Sequence, residues 1–245
     1  MKPDNQLIRS LYPKYRERIL EIRRHLHRYP ETGDQETETT AYLCDLMQEL
    51  GYRVERPLET GLTAVLDVPR AGGRCVGLRA DIDALPIREE CDLEFRSAHP
   101  GIMHACGHDI HTASLAGAAM LLSDPEVRGR LTAPVKLFFQ PAEETDGGAR
   151  RMIEAGALER PHVDCMAAFH CEPSMVAGTV GVKYGYTRAS SDMFDIRIRG
   201  KSAHGAYPET GTDAIVAASA VVTAVQSILS RNINAFEPCV ITIGV

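Results

Sequence analysis

The chain has 245 residues, enough for one large domain or two ordinary ones. With 44% hydrophobic and 24% charged residues it is composed like a globular protein. Its formal net charge of −6 supplies no basic surface for phosphate, which argues against nucleic acid as a partner. No apolar run reads as a membrane span, so no membrane partner is expected. No apolar segment followed by small residues marks a secretory signal. Seven cysteines lie scattered without a Cys-x-x-Cys, which is not a disulfide framework and fits a reducing cytoplasm.

Ile8, Leu11, Tyr15, Ile19, Ile22 and Leu26 follow helical spacing. Pro13 suits a first turn, so the regular helix is expected to begin there. A second helix is predicted from Thr37 to Leu50, with Gly51 as its stop. Strands are expected around Tyr52–Val54, Leu62–Val68 and Cys75–Ala80, divided by proline and glycine turns. A small-residue helix reads from His111 to Leu122, a strand from Pro134 to Phe139, a helix from Gly147 to Glu154 and a strand from Val163 to Phe169. This alternation predicts an α/β fold with a mostly parallel sheet flanked by helices. From Gly185 the texture changes. Asp192–Arg199 alternates apolar with polar residues, a helix spans Thr212–Ser230, and Val240–Ile243 is apolar and β-branched. This β-α-β run reads as the first half of a small α+β domain, giving expected domains of 1–184 and 185–245. One helix and two strands are too few to close a core, so the sequence is expected to be a C-terminally truncated fragment.

The densest chemistry lies in Met103-His104-Ala105-Cys106-Gly107-His108-Asp109-Ile110-His111. Extended backbone would aim His104, Cys106 and His108 to one side. Imidazole and thiolate suit borderline-soft divalent ions such as zinc. Three predicted strand ends add Asp81 with Asp83, Glu143 with Glu144, and His170, where α/β sheets place their sites. An acidic pair alone is ordinary surface charge. Glu143 and Glu144 gain weight because they follow a buried strand and Pro141, in a loop that could turn both to one site.

Five stretches carry a resemblance to the zinc-dependent aminoacylase/carboxypeptidase family, in its branch of N-acyl-amino-acid amidohydrolases with the hippurate and auxin-conjugate hydrolases. They are Arg79-Ala80-Asp81-Ile82-Asp83-Ala84-Leu85-Pro86, Met103 to Asp109, Gln140-Pro141-Ala142-Glu143-Glu144, Phe169-His170, and Gly200-Lys201-Ser202-Ala203-His204-Gly205-Ala206. The resemblance implies a metallo-exopeptidase-like catalytic domain with an inserted, here incomplete, ferredoxin-like lid through which members dimerise. It implies Cys106, His108, Glu144 and His170 as ligands of two divalent ions (zinc, manganese or cobalt), with the thiolate as a candidate bridge. It implies Glu143 as general base, Asp83 as the aspartate that steadies the site, and His204 as a lid histidine that reaches the site of a second copy. Asp81 stands where other branches carry a metal histidine, and nothing here matches the family's last metal histidine beyond the lid. The implied reaction is metal-dependent hydrolysis of a small N-acyl amino acid to a carboxylic acid and a free amino acid. Two other readings stand beside it: a truncated, non-catalytic metal-binding or dimer-forming remnant, and a metallo-dipeptidase.

Overall fold

Helix α1 (Asn5–Arg28) opens the first unit of a computed structural model that describes residues 5–68, 73–145, 147–185 and 192–244. The chain divides into two compact units, Met1–Ser174 and Met175–Val245. In the first, α1 is followed by α2 (Thr37–Glu49), β1 (Arg53–Glu55), β2 (Leu62–Leu66), β3 (Cys75–Asp81), α3 (His108–Ser123), α4 (Pro125–Arg128), β4 (Val135–Gln140), α5 (Gly148–Glu154) and β5 (Val163–Ala168). Pro13 lies inside α1 rather than at its start. Its ring removes one helical N–H but does not end the helix, and the apolar spacing continues through it.

The five strands form one sheet in the order β1-β2-β4-β3-β5. β4, β3 and β5 run parallel, whereas β1 with β2 and β2 with β4 are antiparallel. The sheet is therefore mixed, and the expectation of a mostly parallel one is corrected. For β1 and β2 the cause is loop length: the few residues between them allow a turn but not the crossover that a parallel pair needs.

Side chains alternate across the sheet. Leu62, Ala64 and Leu66 of β2, Ala80 of β3 and Leu137 and Phe139 of β4 bury one face against Leu43 and Met47 of α2, Ala113, Ala116 and Met120 of α3, and Ile22 of α1. α1 comes so close to α3 that a Cβ at Gly117 would lie 2.7 Å from Ile19 Cδ1. On the other face Phe138 and Cys75 pack with Met152 of α5, Ala157 and Val163. Lys136 is buried on β4, where its ammonium donates to the Glu159 carbonyl at 2.6 Å and burial pushes its pKa down.

In the second unit the described residues contain one turn of 3₁₀ helix, Pro208–Thr210, and helix α6 (Ala214–Arg231). Asp213 caps α6, accepting the N–H groups of Ile215 and Val216. Neither Asp192–Arg199 nor Val240–Ile243 is a strand. The ladder contact among the described residues here is a bridge between Lys201 and Thr212. Alternating sequence sets which face a strand would bury, but a strand exists only where another pairs with it. The reading of the sequence without a membrane-length segment is also corrected, since α6 is long and apolar enough, by length and composition, to cross a membrane. Its Ser, Thr and Gln residues interrupt the apolar run, so the apolar character shows only as an average along the helix.

Candidate metal centre

Because β3, β4 and β5 are parallel, their carboxyl ends lie along one edge of the sheet, and the first turn of α3 meets that edge. β3 delivers Asp81 and, two residues on, Asp83. β4 leads through Pro141 to Glu143 and Glu144. β5 leads to His170 and Cys171. Gly107, with φ of 84°, is the N-cap of α3, and this left-handed turn makes His108 the first helical residue.

His108 is held by Asp83. Its Nδ1 lies 2.9 Å from the Asp83 carbonyl oxygen and 3.0 Å from Asp83 Oδ1. Both are acceptors, so Nδ1 carries the proton and Nε2 presents its lone pair. That Nε2 is buried without a hydrogen-bond partner. Around it stand Asp81 Oδ2 at 3.7 Å, Glu144 Oε1 at 3.7 Å and Glu143 Oε2 at 4.0 Å. Burial alone would lower the pKa of His108, but the Asp83 hydrogen bond and the charges of Asp81 and Asp83 raise it. Asp83 also accepts the Glu144 N–H through Oδ2 at 2.9 Å, and so ties helix and loop together.

Cys106 Sγ lies 3.4 Å from His170 Nε2, and His170 Nδ1 is 2.6 Å from the Cys171 carbonyl. Burial, then Glu144, then Glu143 and Asp81 push the Cys106 thiol up to about 12. Burial and the Glu144 charge raise Glu143 above the usual carboxylate range. Two groups of potential ligand atoms, Cys106 with His108 and His170, and His108 with Glu143 and Glu144, each fall within 4.8 Å of one another. A soft thiol, a second imidazole and two carboxylates gather about His108 with its unpartnered Nε2, and burial with the crowding of negative charge disfavours the ionised forms of Cys106 and Glu143. A divalent cation fits that set, because it satisfies the lone pair and reverses the repulsion that keeps the thiol protonated.

Asp81, which with His108 and His111 forms a further group of potential ligand atoms within 4.8 Å of one another, already has both carboxylate oxygens partnered. Its Oδ1 is 2.6 Å from His111 Nδ1 and its Oδ2 accepts from Arg79 Nη1 at 2.7 Å. Burial would raise its pKa, yet the His111 hydrogen bond and the nearby His108 and Arg79 hold it at about 2. His111 Nε2 accepts the Cys171 N–H at 2.8 Å, so its proton sits on Nδ1, toward Asp81. His111 and Cys171 were given no role from sequence. The signal available for His111 was its spacing of three from His108, which places both on one helical face.

His104 departs from the expectation that it points with Cys106 and His108. The turn at Gly107 ends the extended stretch, and the converging groups include Cys106 and His108 but not His104. Both ring nitrogens of His104 are buried without partners, and burial pushes its pKa down to about 4. His204 belongs to the second unit, where it is exposed and its Nδ1 accepts the Ala206 N–H at 3.1 Å.

Residues 77–242 match peptidase family M20/M25/M40. The chain is 45% identical over 228 residues to an N-acetyl-L-cysteine deacetylase of Bacillus subtilis, covering 92% of this chain and 53% of that protein. It is 40% identical over 238 residues to an N-acyl-L-amino acid amidohydrolase of Geobacillus stearothermophilus, covering 96% and 63%. The chain thus spans between about half and two thirds of the length of these curated relatives. Among solved structures, a dinuclear metal-binding peptidase of the M20 family from Bacillus subtilis aligns with a TM-score of 0.65 at 42% identity, over 70% of this chain and 47% of that one. A putative aminohydrolase from methicillin-resistant Staphylococcus aureus aligns with a TM-score of 0.79 at 35% identity, over 98% and 64%. By its ordered motifs and by these likenesses, the chain belongs to peptidase family M20/M25/M40.

Proposed function

We propose that the protein hydrolyses the amide bond of N-acyl amino acids, with Cys106, His108, Glu144 and His170 holding two divalent ions and Glu143 carrying the proton. The observation that carries this reading is the buried, unpartnered Nε2 of His108, ringed by Asp81, Glu143 and Glu144. Relatives named as an N-acetyl-L-cysteine deacetylase and an N-acyl-L-amino acid amidohydrolase support the substrate class. The solved neighbour named as dinuclear supports two ions, to be drawn from zinc, manganese and cobalt.

Bound there, the ions supply Lewis-acid activation of water and of the amide carbonyl. The chain's own groups do the rest. Asp83 fixes the tautomer and the aim of His108 and holds the amide of Glu144. Glu143 takes a proton from the attacking water and returns it to the nitrogen as the C–N bond breaks, a double role worth roughly 10²–10⁴-fold. The water oxygen ends in the carboxylic acid and the proton on the free amine. We assign residues 1–184 to the catalytic domain and 185–245 to a lid through which two copies pair. His204 of a second copy then donates to the oxyanion that forms at the carbonyl. The scattered, unpaired cysteines support a cytoplasmic location.

The test is release of amino acid from N-acetyl and N-benzoyl substrates by the full-length protein, beside dipeptides, with and without chelator. Hydrolysis of the acyl substrates that chelator abolishes and Glu143→Ala cripples is expected. Chelator-resistant turnover, full activity of Glu143→Ala, or preference for dipeptides overturns it.

A further inference from the structure

Glu143 sits between two buried carboxylates that grip the backbone on either side of it. Asp83 accepts the N–H of Glu144 on one side. On the other, Glu36 Oε1 accepts the N–H of Ala142 at 2.8 Å. Glu36 is 0% exposed, and burial raises its pKa. Ala142 has φ of 49°, a left-handed backbone that disfavours a side chain and persists only where the surroundings impose it. That turn is where the chain leaves β4 and swings Glu143 and Glu144 toward His108.

Glu36 occupies the N-cap position of α2, yet its side chain makes no capping hydrogen bond. An N-cap side chain ordinarily satisfies the free amides of the first turn. Here Glu31 does so, accepting the N–H groups of Glu38 and Thr39 at 3.1 and 2.7 Å. The Glu36 carboxylate is thereby released to reach the other loop. The two loops are in tight contact: a Cβ at Gly33 would lie 2.5 Å from Thr145 Oγ1 and 3.2 Å from Ala142 Cα. Glu36 is itself fixed from behind, because Thr40 donates its hydroxyl to the Glu36 carbonyl and accepts the Gly61 N–H at 2.8 Å.

We propose that Glu36 is a positioning residue for the Glu143–Glu144 pair: its carboxylate holds the Ala142 amide and so fixes the turn that aims both glutamates at His108. The inference rests on the roles given above to Glu143 and Glu144. Reach is the property that matters. Glu36→Gln keeps an acceptor oxygen at the same place, whereas Glu36→Asp keeps the charge but withdraws the oxygen by one methylene.

Three measurements on the full-length protein decide it: amide exchange in the peptide spanning 138–145 without metal, the Kd for Mn²⁺ or Zn²⁺ alone by calorimetry, and kcat with KM on an N-acetyl amino acid. Glu36→Gln stays within about threefold of wild type in all three. Glu36→Asp speeds exchange at Ala142, weakens metal binding and lowers kcat by roughly 10–100-fold, as changes that orient a ligand do, and leaves KM within a few-fold. Wild-type exchange and metal affinity in Glu36→Asp overturn the proposal, as does a Glu36→Gln variant as impaired as Glu36→Asp. A Glu36→Asp protein that does not fold also overturns it, since the residue then serves folding. If the wild type neither binds metal nor hydrolyses the substrate, the functional reading fails, and the exchange arm still decides whether Glu36 holds the turn.

Discussion

His104 and His108 lie four residues apart, both are buried, and both carry ring nitrogens without hydrogen-bond partners. They part in what surrounds them. His108 has a donor nitrogen fixed by Asp83 and a free one facing carboxylates, and its pKa is raised. His104 has no hydrogen bond on either nitrogen, and burial pushes its pKa down to about 4. Burial makes an imidazole inert when it stands alone and ligand-like when a second side chain sets its tautomer and negative groups face its lone pair. By residue type the two histidines of this motif are alike, and the family resemblance singles out His108; the fold supplies the physical reason.

The largest effect that tests this contrast is His108→Ala. It removes the one nitrogen on which the carboxylates converge, so metal affinity and turnover should fall by more than the roughly 10–100-fold typical of residues that merely orient a ligand. Calorimetric metal titration with turnover checks it, and near-normal affinity would dissolve the contrast. Asp83→Asn comes next. Its amide can still accept from His108 Nδ1, but the carboxylate's charge is lost. A drop of about 10–100-fold in metal affinity is expected, with a folded protein. His104→Leu is the smallest for function. It deletes two buried, unpartnered polar atoms, so metal affinity and kcat should hold within about threefold, and stability to urea should stay level or rise by roughly 1–3 kcal/mol. A loss of metal affinity comparable to that of Asp83→Asn would make the two histidines alike after all.

The legible part of this molecule was the part written in local residue types. Runs such as Cys75–Ala80 and Val135–Phe139 are apolar enough to be buried strands on their own evidence, and their ends located Asp83, Glu143 and Glu144. His108, Cys106 and His170 were visible as metal-suited side chains near one another or at a strand end. What was hidden depends on distant partners. The antiparallel half of the sheet follows from which strands meet, which no single run encodes. Asp192–Arg199 has a strand's pattern but no ladder partner among the described residues. Glu36 reads as an ordinary loop glutamate before a helix, because its role lies 106 positions away, at Ala142. Residue type alone does not rank His104 and His108, which the resemblance did, because a tautomer is set by a neighbour in space.

A third histidine completes the comparison through pH. His27 is buried with both nitrogens partnered: Nδ1 lies 2.9 Å from Asp109 Oδ2, and Nε2 lies 2.9 Å from Glu89 Oε1. Arg23 reaches the same Asp109 oxygen at 2.9 Å, and Phe95 packs edge-on against the His27 ring. The Asp109 hydrogen bond leads the causes that raise His27 above its ordinary 6.5. Burial would raise both carboxylates, but the hydrogen bonds from His27 hold Asp109 below 3.8 and Glu89 below 4.5. The His27 contribution is therefore fully present below 6.5 and is lost as pH rises through the raised value, because the folded state then gives up the proton it held more tightly. The carboxylate contributions are present above 3.8 and 4.5 and are lost as pH falls through the depressed values. Between about pH 4.5 and 6.5 the three act together. His104 runs the opposite way, since its lowered pKa penalises the fold as pH drops below 6.5. Comparing His27→Gln with wild type by urea unfolding removes the His104 background, which both share. The difference should be roughly 1–3 kcal/mol at pH 5.5, the range for hydrogen bonds to charged groups, and should shrink toward pH 9. A difference that is flat with pH would mean that His27 is held as a neutral ring, like His104, and that its two carboxylates serve Arg23 and the Ser97 amide instead.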